Sequence, residues 1–345
     1  MRAVVYEEFG GPLEIRDVAE PAPAPDGAVI RVEATGLCRS DWHGWRGHDA
    51  DVRVPHVPGH EFAGVVESVG ERVRGWAAGA RVTVPFVCAC GRCPECLRGD
   101  QQVCAAQTQP GFTHWGSFAE LVRVEHADVN LVALPDDLPA VTAASLGCRF
   151  ATAWRAVTSQ GRVAPGEWLA VHGCGGVGLS AVLVAVAAGA RVVAVDVSEA
   201  ALALAVELGA EARVDATATD PVAAIREITG GGAQVSLDAL GSSPTLAASV
   251  SCLATRGRHV QVGLLPRGVV RAEVPMDLVI ARELELRGSH GMPAHAYPEM
   301  LALVGTGRLR ADALVRRRIS LEEACAALPA MDTAHSHGIT VVDRL

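Results

Sequence analysis

Glu167-Trp168-Leu169-Ala170-Val171-His172-Gly173-Cys174-Gly175-Gly176-Val177-Gly178 is the stretch that decides the fold. It opens as a continuous apolar run over Glu167–Gly173, the length of a buried strand. It then enters Gly173-x-Gly175-x-x-Gly178 and continues as an apolar helical segment to about Ala188. On its own the glycine spacing is weak evidence. Between a strand and a helix it has a mechanism: glycines allow the tight turn and let a pyrophosphate approach the helix N-terminus, with Gly176 and Val177 inside the same turn. A second strand over Arg191–Val197 carries Asp196 near its end. A carboxylate there accepts hydrogen bonds from the ribose hydroxyls and repels a 2′-phosphate. No Arg follows in Val197-Ser198-Glu199, so the pattern favours NAD over NADP.

The same rhythm continues on both sides of this stretch. Toward the C-terminus, helical segments at Ser198–Leu208, Pro221–Thr229 and Thr245–Leu253 alternate with strands at Arg213–Asp215, Val235–Ala239, His259–Gly263 and Leu284–Gly288. Such alternation implies a parallel sheet covered on both faces, a Rossmann doubly wound α/β domain. Toward the N-terminus, a helical stretch at Ala140–Ser159 is preceded by short strands at Ala3–Tyr6, Leu13–Val18, Ala28–Ala34, Glu61–Val69 and Arg81–Pro85. Gly70, Gly75 and Gly79 mark turns, which argues for a β-rich first domain. After His290 come a helix at Ala296–Thr306, a helix start at Ser320-Leu321-Glu322-Glu323 and a strand at Ile339–Val342. The cofactor sheet is complete by then, so this tail is expected to return to the first domain. The expected domains are 1–147 with 290–345, and 148–289.

Composition narrows the function. The 345 residues are half hydrophobic and 20% charged, as in a globular chain of about two domains. The net charge is −9 and no basic stripe is present, which argues against nucleic acid. The run Arg316-Arg317-Arg318 reads as a solvated edge. The chain contains no lysine, so Schiff-base chemistry on lysine is excluded. Its only tyrosines are Tyr6 and Tyr297, and chemistry that uses a Tyr–Lys pair as the acid falls with the lysine. No signal-peptide pattern and no membrane-length apolar run is seen, so a cytoplasmic protein with no membrane partner is expected. In that compartment ten cysteines read as metal ligands or reduced thiols rather than disulfides.

Two groups of metal-ligating residues stand out. Cys90-x2-Cys93-x2-Cys96-x7-Cys104 can close a tetrahedral shell around one zinc from a single lobe, 88–104, with Gly91, Pro94 and Gly99 supplying turns. Four thiolates leave no open position, so this zinc is structural; the alternative is a set of free or disulfide-linked cysteines. Cys88, beside the set, is a possible competing ligand. The second group lies in Cys38-Arg39-Ser40-Asp41-Trp42-His43 and Pro58-Gly59-His60-Glu61. Cys38 and His60 are zinc-ligand types, and Cys148, in Gly147-Cys148-Arg149, offers a third ligand. Three protein ligands with one open position describe a catalytic zinc.

With these residues in place, the sequence resembles the zinc-dependent medium-chain alcohol dehydrogenases over essentially its whole length. The resemblance implies a GroES-like catalytic domain joined to the Rossmann domain. It implies that Cys38, His60 and Cys148 hold the catalytic zinc, that Asp41 orients His60, and that Glu61 lies close to the metal and exchanges onto it. Ser40 and His43 relay the alcohol proton in such enzymes. Arg39 matches a pyrophosphate contact, and Thr152, Val177, Val262 and Leu264 match positions along the nicotinamide half of the cofactor. One departure is visible: where many relatives carry a pyrophosphate-binding Arg near the last strand, this chain reads His337-Gly338-Ile339-Thr340. Trp42, Phe86 and Trp115 are candidates for an apolar substrate wall.

The expected function is reversible hydride transfer between an alcohol and NAD, with two zinc ions per chain and an alcohol, aldehyde or ketone as substrate. A homo-oligomer is expected, a tetramer before a dimer. Two other readings remain: a polyol or amino-alcohol dehydrogenase on the same scaffold, and a non-catalytic zinc and dinucleotide-binding redox regulator. A mere binder has no need of the relay Ser40 and His43.

Overall fold

The computed structural model describes residues 1–265, 271–333 and 337–345. The chain divides into two compact units: Met1–Ala151 with Gly291–Gly307 and Leu314–Leu345, and Thr152–His290 with Arg308–Ala313. Cys148 thus belongs to the first unit. Most of the C-terminal tail, Gly291–Gly307 and Leu314–Leu345, lies in the first unit, and Arg308–Ala313 lies in the second.

Among the described residues the first unit has a two-stranded sheet, Arg2–Val5 with Glu14–Asp17, and a seven-stranded one. The order of the seven is Val315–Ser320, Ile339–Arg344, Ala28–Leu37, Glu61–Val69, Arg81–Thr83 and Val132–Ala133, with Leu121–Val124 pairing on Ala28–Leu37. Ile339–Arg344 runs antiparallel to Ala28–Leu37, through Thr340 opposite Leu37 and Val342 opposite Thr35. The last strand is therefore stitched to the strand that delivers Cys38. Ile30, Phe62, Val66, Val82, Val84 and Val122 fill the core of this sheet.

Sequence pattern missed the edge strand Val315–Ser320, because Arg316, Arg317 and Arg318 interrupt any apolar alternation. All three are exposed. Cationic side chains on an outer strand discourage pairing with other chains, which suits a solvated edge.

The second unit has a six-stranded, fully parallel sheet among the described residues. Its order is Ala212–Asp215, Arg191–Asp196, Trp168–His172, Ala233–Asp238, Leu253–Gln261 and Glu285–Gly288. The central strands are continuous apolar runs, as burial on both faces requires. The chain reverses direction of growth between Trp168–His172 and Ala233–Asp238. In such sheets ligands bind beyond the carboxyl ends of the strands at this reversal point.

The helical stretch expected over Ala140–Ser159 is not one regular helix. Ala140–Ala144 and Ala151–Arg155 are α-helical, and wider π-helical turns occupy Leu146–Phe150 and Ala156–Gln160. A π turn changes where successive side chains point and recurs at functional positions. Here it carries Cys148.

Candidate active site

Each metal-ligand candidate of the first unit sits at the end or bend of an element. Cys38 follows the strand Ala28–Leu37 and precedes the short helix Arg39–Trp45. Sequence pattern does not show this helix, because Gly44 and the clustered polar residues break any helical periodicity. The helix is held at its start by Asp41, whose Oδ2 accepts from the Cys38 backbone N–H at 2.9 Å. Asp41 Oδ1 also accepts from the Gly59 backbone N–H at 3.1 Å and lies 2.7 Å from His60 Nδ1. One buried carboxylate therefore fixes both ligand segments and sets the His60 ring. Such a partner selects the tautomer that presents the other nitrogen to a metal.

That other nitrogen, Nε2, is buried without a hydrogen-bond partner among the described residues. A buried polar atom left unpaired is costly and calls for an explanation. The surroundings supply one. Ligand atoms of Cys38, His60, Glu61 and Cys148 all lie within 4.8 Å of one another. Two soft sulfurs and an imidazole nitrogen converging on one point are the donor set of zinc. The residues present therefore fit a zinc ion, with the orphaned Nε2 as the clearest sign.

The electrostatics agree. The Cys148 thiol beside it draws the Cys38 thiol well below the ordinary range, and the charge of Arg149 helps. The hydrogen bond with Cys38, then burial, push Cys148 the other way. Burial opposes protonation of His60, but the charge and hydrogen bond of Asp41 win and raise it. The cluster is thus built around negative charge that a cation would neutralise. The ring of Phe112 lies 5.2 Å from that of His60, and Phe86 lies 6.4 Å away, both edge-on.

Arg149 was quoted in the sequence without a role. Its backbone N–H donates to Glu61 Oε1 at 2.8 Å, its Nε donates to the same oxygen at 3.1 Å, and its NH2 group donates to Oε2. Glu61 is fully buried and Arg149 nearly so. Breaking such a pair by removing one partner costs about 3–5 kcal/mol. A signal existed: an Arg among Leu146, Phe150 and Ala151 in an apolar run must find a partner. Tyr297, from the returning tail, braces the same turn by donating to the Gly147 carbonyl at 3.0 Å. Phe112 had no comparable signal.

Ser40 and His43 lie three positions apart on the helix Arg39–Trp45 and so share a face. His43 Nδ1 is 3.1 Å from His48 Nδ1. Burial, then the neighbouring His48 and Arg39, lower its pKa, so it is uncharged and able to accept a proton at neutral pH. Arg39 stacks 3.8 Å over Trp42 and donates to the Met331 carbonyl. Trp42 also donates from Nε1 to Asp332 at 2.8 Å. Trp115 is partly exposed and donates to the Pro55 carbonyl at 3.1 Å. Phe112, rather than Trp115, is the second aromatic ring on His60.

The four cysteines of the lobe also converge. Cys93 Sγ lies 3.3 Å from Cys96 Sγ and 3.7 Å from Cys104 Sγ, and Cys90 Sγ lies 4.0 Å from Cys96 Sγ. A disulfide needs about 2.05 Å. The edge of a zinc–sulfur tetrahedron with bonds of about 2.3 Å is about 3.8 Å, close to these separations. The backbone N–H of Arg92 lowers the Cys90 thiol to about 6. Asn130 clamps the lobe by accepting from Ala89 N–H at 2.7 Å and donating to the Ala89 carbonyl at 3.0 Å. Cys88 is outside the set: it is fully buried among Val84, Val82 and Phe62, with burial pushing its thiol up to about 12.

In the second unit Gly173 takes φ +91°, and the helix Gly176–Ala187 starts immediately after the turn. A Cβ on Gly178 would fall 1.8 Å from the Gly173 carbonyl oxygen, so the turn closes only with glycine there. Gly175 is exposed and has open space where a side chain would be. That space, over a helix start with unsatisfied N–H groups, fits a pyrophosphate. Asp196 accepts from Cys174 N–H at 2.6 Å, Val197 N–H at 2.8 Å and Ser198 N–H at 2.9 Å, which binds the end of the second strand to the turn. Val262 and Leu264 follow the strand Leu253–Gln261 at the same carboxyl edge of the sheet. Thr152 is buried at the start of this unit.

Comparison with known proteins gives one consistent family. The description "Alcohol dehydrogenase GroES-like domain" matches residues 24–136, and "Zinc-binding dehydrogenase" matches residues 176–306. An alcohol dehydrogenase of Rhizobium meliloti is 36% identical over 90% of both chains. An NAD-dependent alcohol dehydrogenase of Sulfurisphaera tokodaii is 33% identical over 99% of both. The solved alcohol dehydrogenase of Thermus sp. ATN1 superposes with a TM-score of 0.91 at 32% identity, covering all of both chains.

Proposed function

The chain belongs to the zinc-dependent medium-chain alcohol dehydrogenase family, and we propose that it oxidises an alcohol to an aldehyde or ketone with NAD, reversibly. The observation that carries this reading is the convergence of Cys38, His60 and Cys148, the first two buried and Cys148 partly so, with ligand atoms within 4.8 Å of one another and His60 Nε2 left unpaired among the described residues.

Those three residues would hold a catalytic zinc, and Cys90, Cys93, Cys96 and Cys104 a structural one. When bound, the catalytic zinc supplies Lewis-acid stabilisation of negative charge on the substrate oxygen. NAD would be held by Gly173, Gly175, Gly176, Val177 and Gly178, with Thr152, Val262 and Leu264 of the same unit, and would supply the hydride acceptor. Asp41 orients His60 by the 2.7 Å hydrogen bond. Ser40 holds the hydroxyl proton as it leaves, and the neutral, partly exposed His43 delivers it to water. Phe86 and Phe112, edge-on to His60, favour an apolar alcohol over a polyol. Asp196 repels a 2′-phosphate and so selects NAD. The reading extends to a homo-oligomer, a tetramer before a dimer, in the cytoplasm. All ten cysteines are free, which suits a reducing compartment, and among the described residues no helix is long and apolar enough to cross a membrane.

The test is NAD-linked turnover across alcohols and aldehydes of graded size and polarity, with zinc measured on the same samples. Wild type is expected to oxidise apolar alcohols and to carry two zinc equivalents. Cys148→Ala is expected to lose turnover and one equivalent while keeping its fold by circular dichroism. A zinc-replete, active Cys148→Ala protein would contradict the site.

A further inference from the structure

We propose that Arg149 is a positioning residue that holds Glu61 away from the metal and so keeps the fourth coordination position open for substrate; this deepens the reading above and rests on it. The Glu61 carboxylate lies in the same 4.8 Å cluster as Cys38, His60 and Cys148. It is a fourth donor of a kind zinc accepts, and a fourth protein ligand would turn an open site into a closed one. It is also fully buried, so it must have a cationic partner at hand. Two cations compete for it: the guanidinium and the metal.

The geometry favours the guanidinium. Glu61 receives three hydrogen bonds from Arg149, two of them on Oε1 and one on Oε2, so both oxygens are occupied. A forked pair of this kind is stronger and more directional than a single charge contact. The chain order reinforces it. Glu61 follows the ligand His60, and Arg149 follows the ligand Cys148, so the pair ties the two ligand segments to each other. Space is reserved for it as well: a Cβ on Gly36 would lie 2.6 Å from Glu61 Oε2 and 3.0 Å from Arg149 NH2. Two thiolate ligands, meanwhile, would already offset the charge of a zinc ion and weaken its hold on another anion. Without the guanidinium, Glu61 becomes a buried carboxylate whose nearest cation is the metal, and it binds there.

The experiment measures zinc affinity by chelator competition and visible absorption after cobalt exchange, alongside kcat. Arg149→Met is expected to bind the catalytic metal about tenfold tighter, the scale on which groups behind metal ligands act. Its cobalt spectrum should change to that of a closed site, and kcat should fall. Adding Glu61→Gln to Arg149→Met should return affinity and spectrum to wild type, and Arg149→Lys should keep the wild-type spectrum. Glu61→Gln alone should leave the spectrum unchanged, because the carboxylate is not on the metal while Arg149 is present. If Arg149→Met only loses thermal stability, with affinity and spectrum as in wild type, the pair is merely structural and the proposal fails. A changed spectrum in Glu61→Gln alone overturns it too, and this variant decides the matter if Arg149→Met does not fold. Should Cys148→Ala retain both metal equivalents, the underlying site is wrong, a result distinct from either of these.

Discussion

Asp196 accepts three backbone N–H groups at the edge of the glycine turn, which fixes its side chain beside the turn proposed to bind the cofactor. Replacing it with Ala is expected to relax the preference for NAD over NADP by about tenfold, near 1.4 kcal/mol. The ratio of kcat/KM for the two cofactors measures this, and an unchanged ratio would remove Asp196 from cofactor selection. His172 makes a different prediction. It is buried beside Cys252, 3.6 Å from Nε2 to Sγ, and burial lowers its pKa to about 3. The unfolded chain binds a proton near pH 6.5 that the folded chain refuses, so stability is full above that pH and declines as pH falls toward 3. The decline is about 1.4 kcal/mol per pH unit. Urea unfolding of His172→Leu between pH 6 and pH 4.5 should show a shallower decline than wild type by about that amount. Equal slopes would show that His172 takes up its proton in the folded state.

At the scale of elements, the zinc lobe and the ligand-bearing turn differ in how they depend on metal. The lobe has little core of its own beyond Ala89, Val129 and the cysteines themselves. If the lobe holds the proposed structural zinc, its order would come from the metal, since binding energy at such a site is folding energy. Cys96→Ser is expected to release one zinc equivalent and to open the segment 88–104 to limited proteolysis, leaving the Cys38 site loaded. A lobe that resists protease without its metal would contradict this. The helix Arg39–Trp45 rests instead on Asp41 and on packing of Trp42 and Trp45.

Across the whole molecule, the parts legible in the sequence were those with a local physical cause. The alternation of strand and helix after Glu167, the glycine turn and Asp196 reveal the cofactor unit because each follows from its own few residues. The Cys90–Cys104 lobe is equally local. The short helix Arg39–Trp45 was not legible, because it is made by one carboxylate reaching back to Cys38 and not by periodicity. The π turn over Leu146–Phe150 depends on partners far along the chain, and the edge strand Val315–Ser320 is hidden by its three consecutive arginines. Arg149 belongs with the π turn: its meaning rests on Glu61, 88 positions away.

The central claim is that residues from three distant segments share one zinc ion. Anomalous diffraction measured across the zinc absorption edge, on crystals of the purified protein, tests it most directly. Two peaks per chain are expected: one among Cys90, Cys93, Cys96 and Cys104, and one bonded to Cys38 Sγ, Cys148 Sγ and His60 Nε2 at about 2.3, 2.3 and 2.1 Å. A single peak confined to the four-cysteine lobe, in protein that is active with NAD, would contradict it.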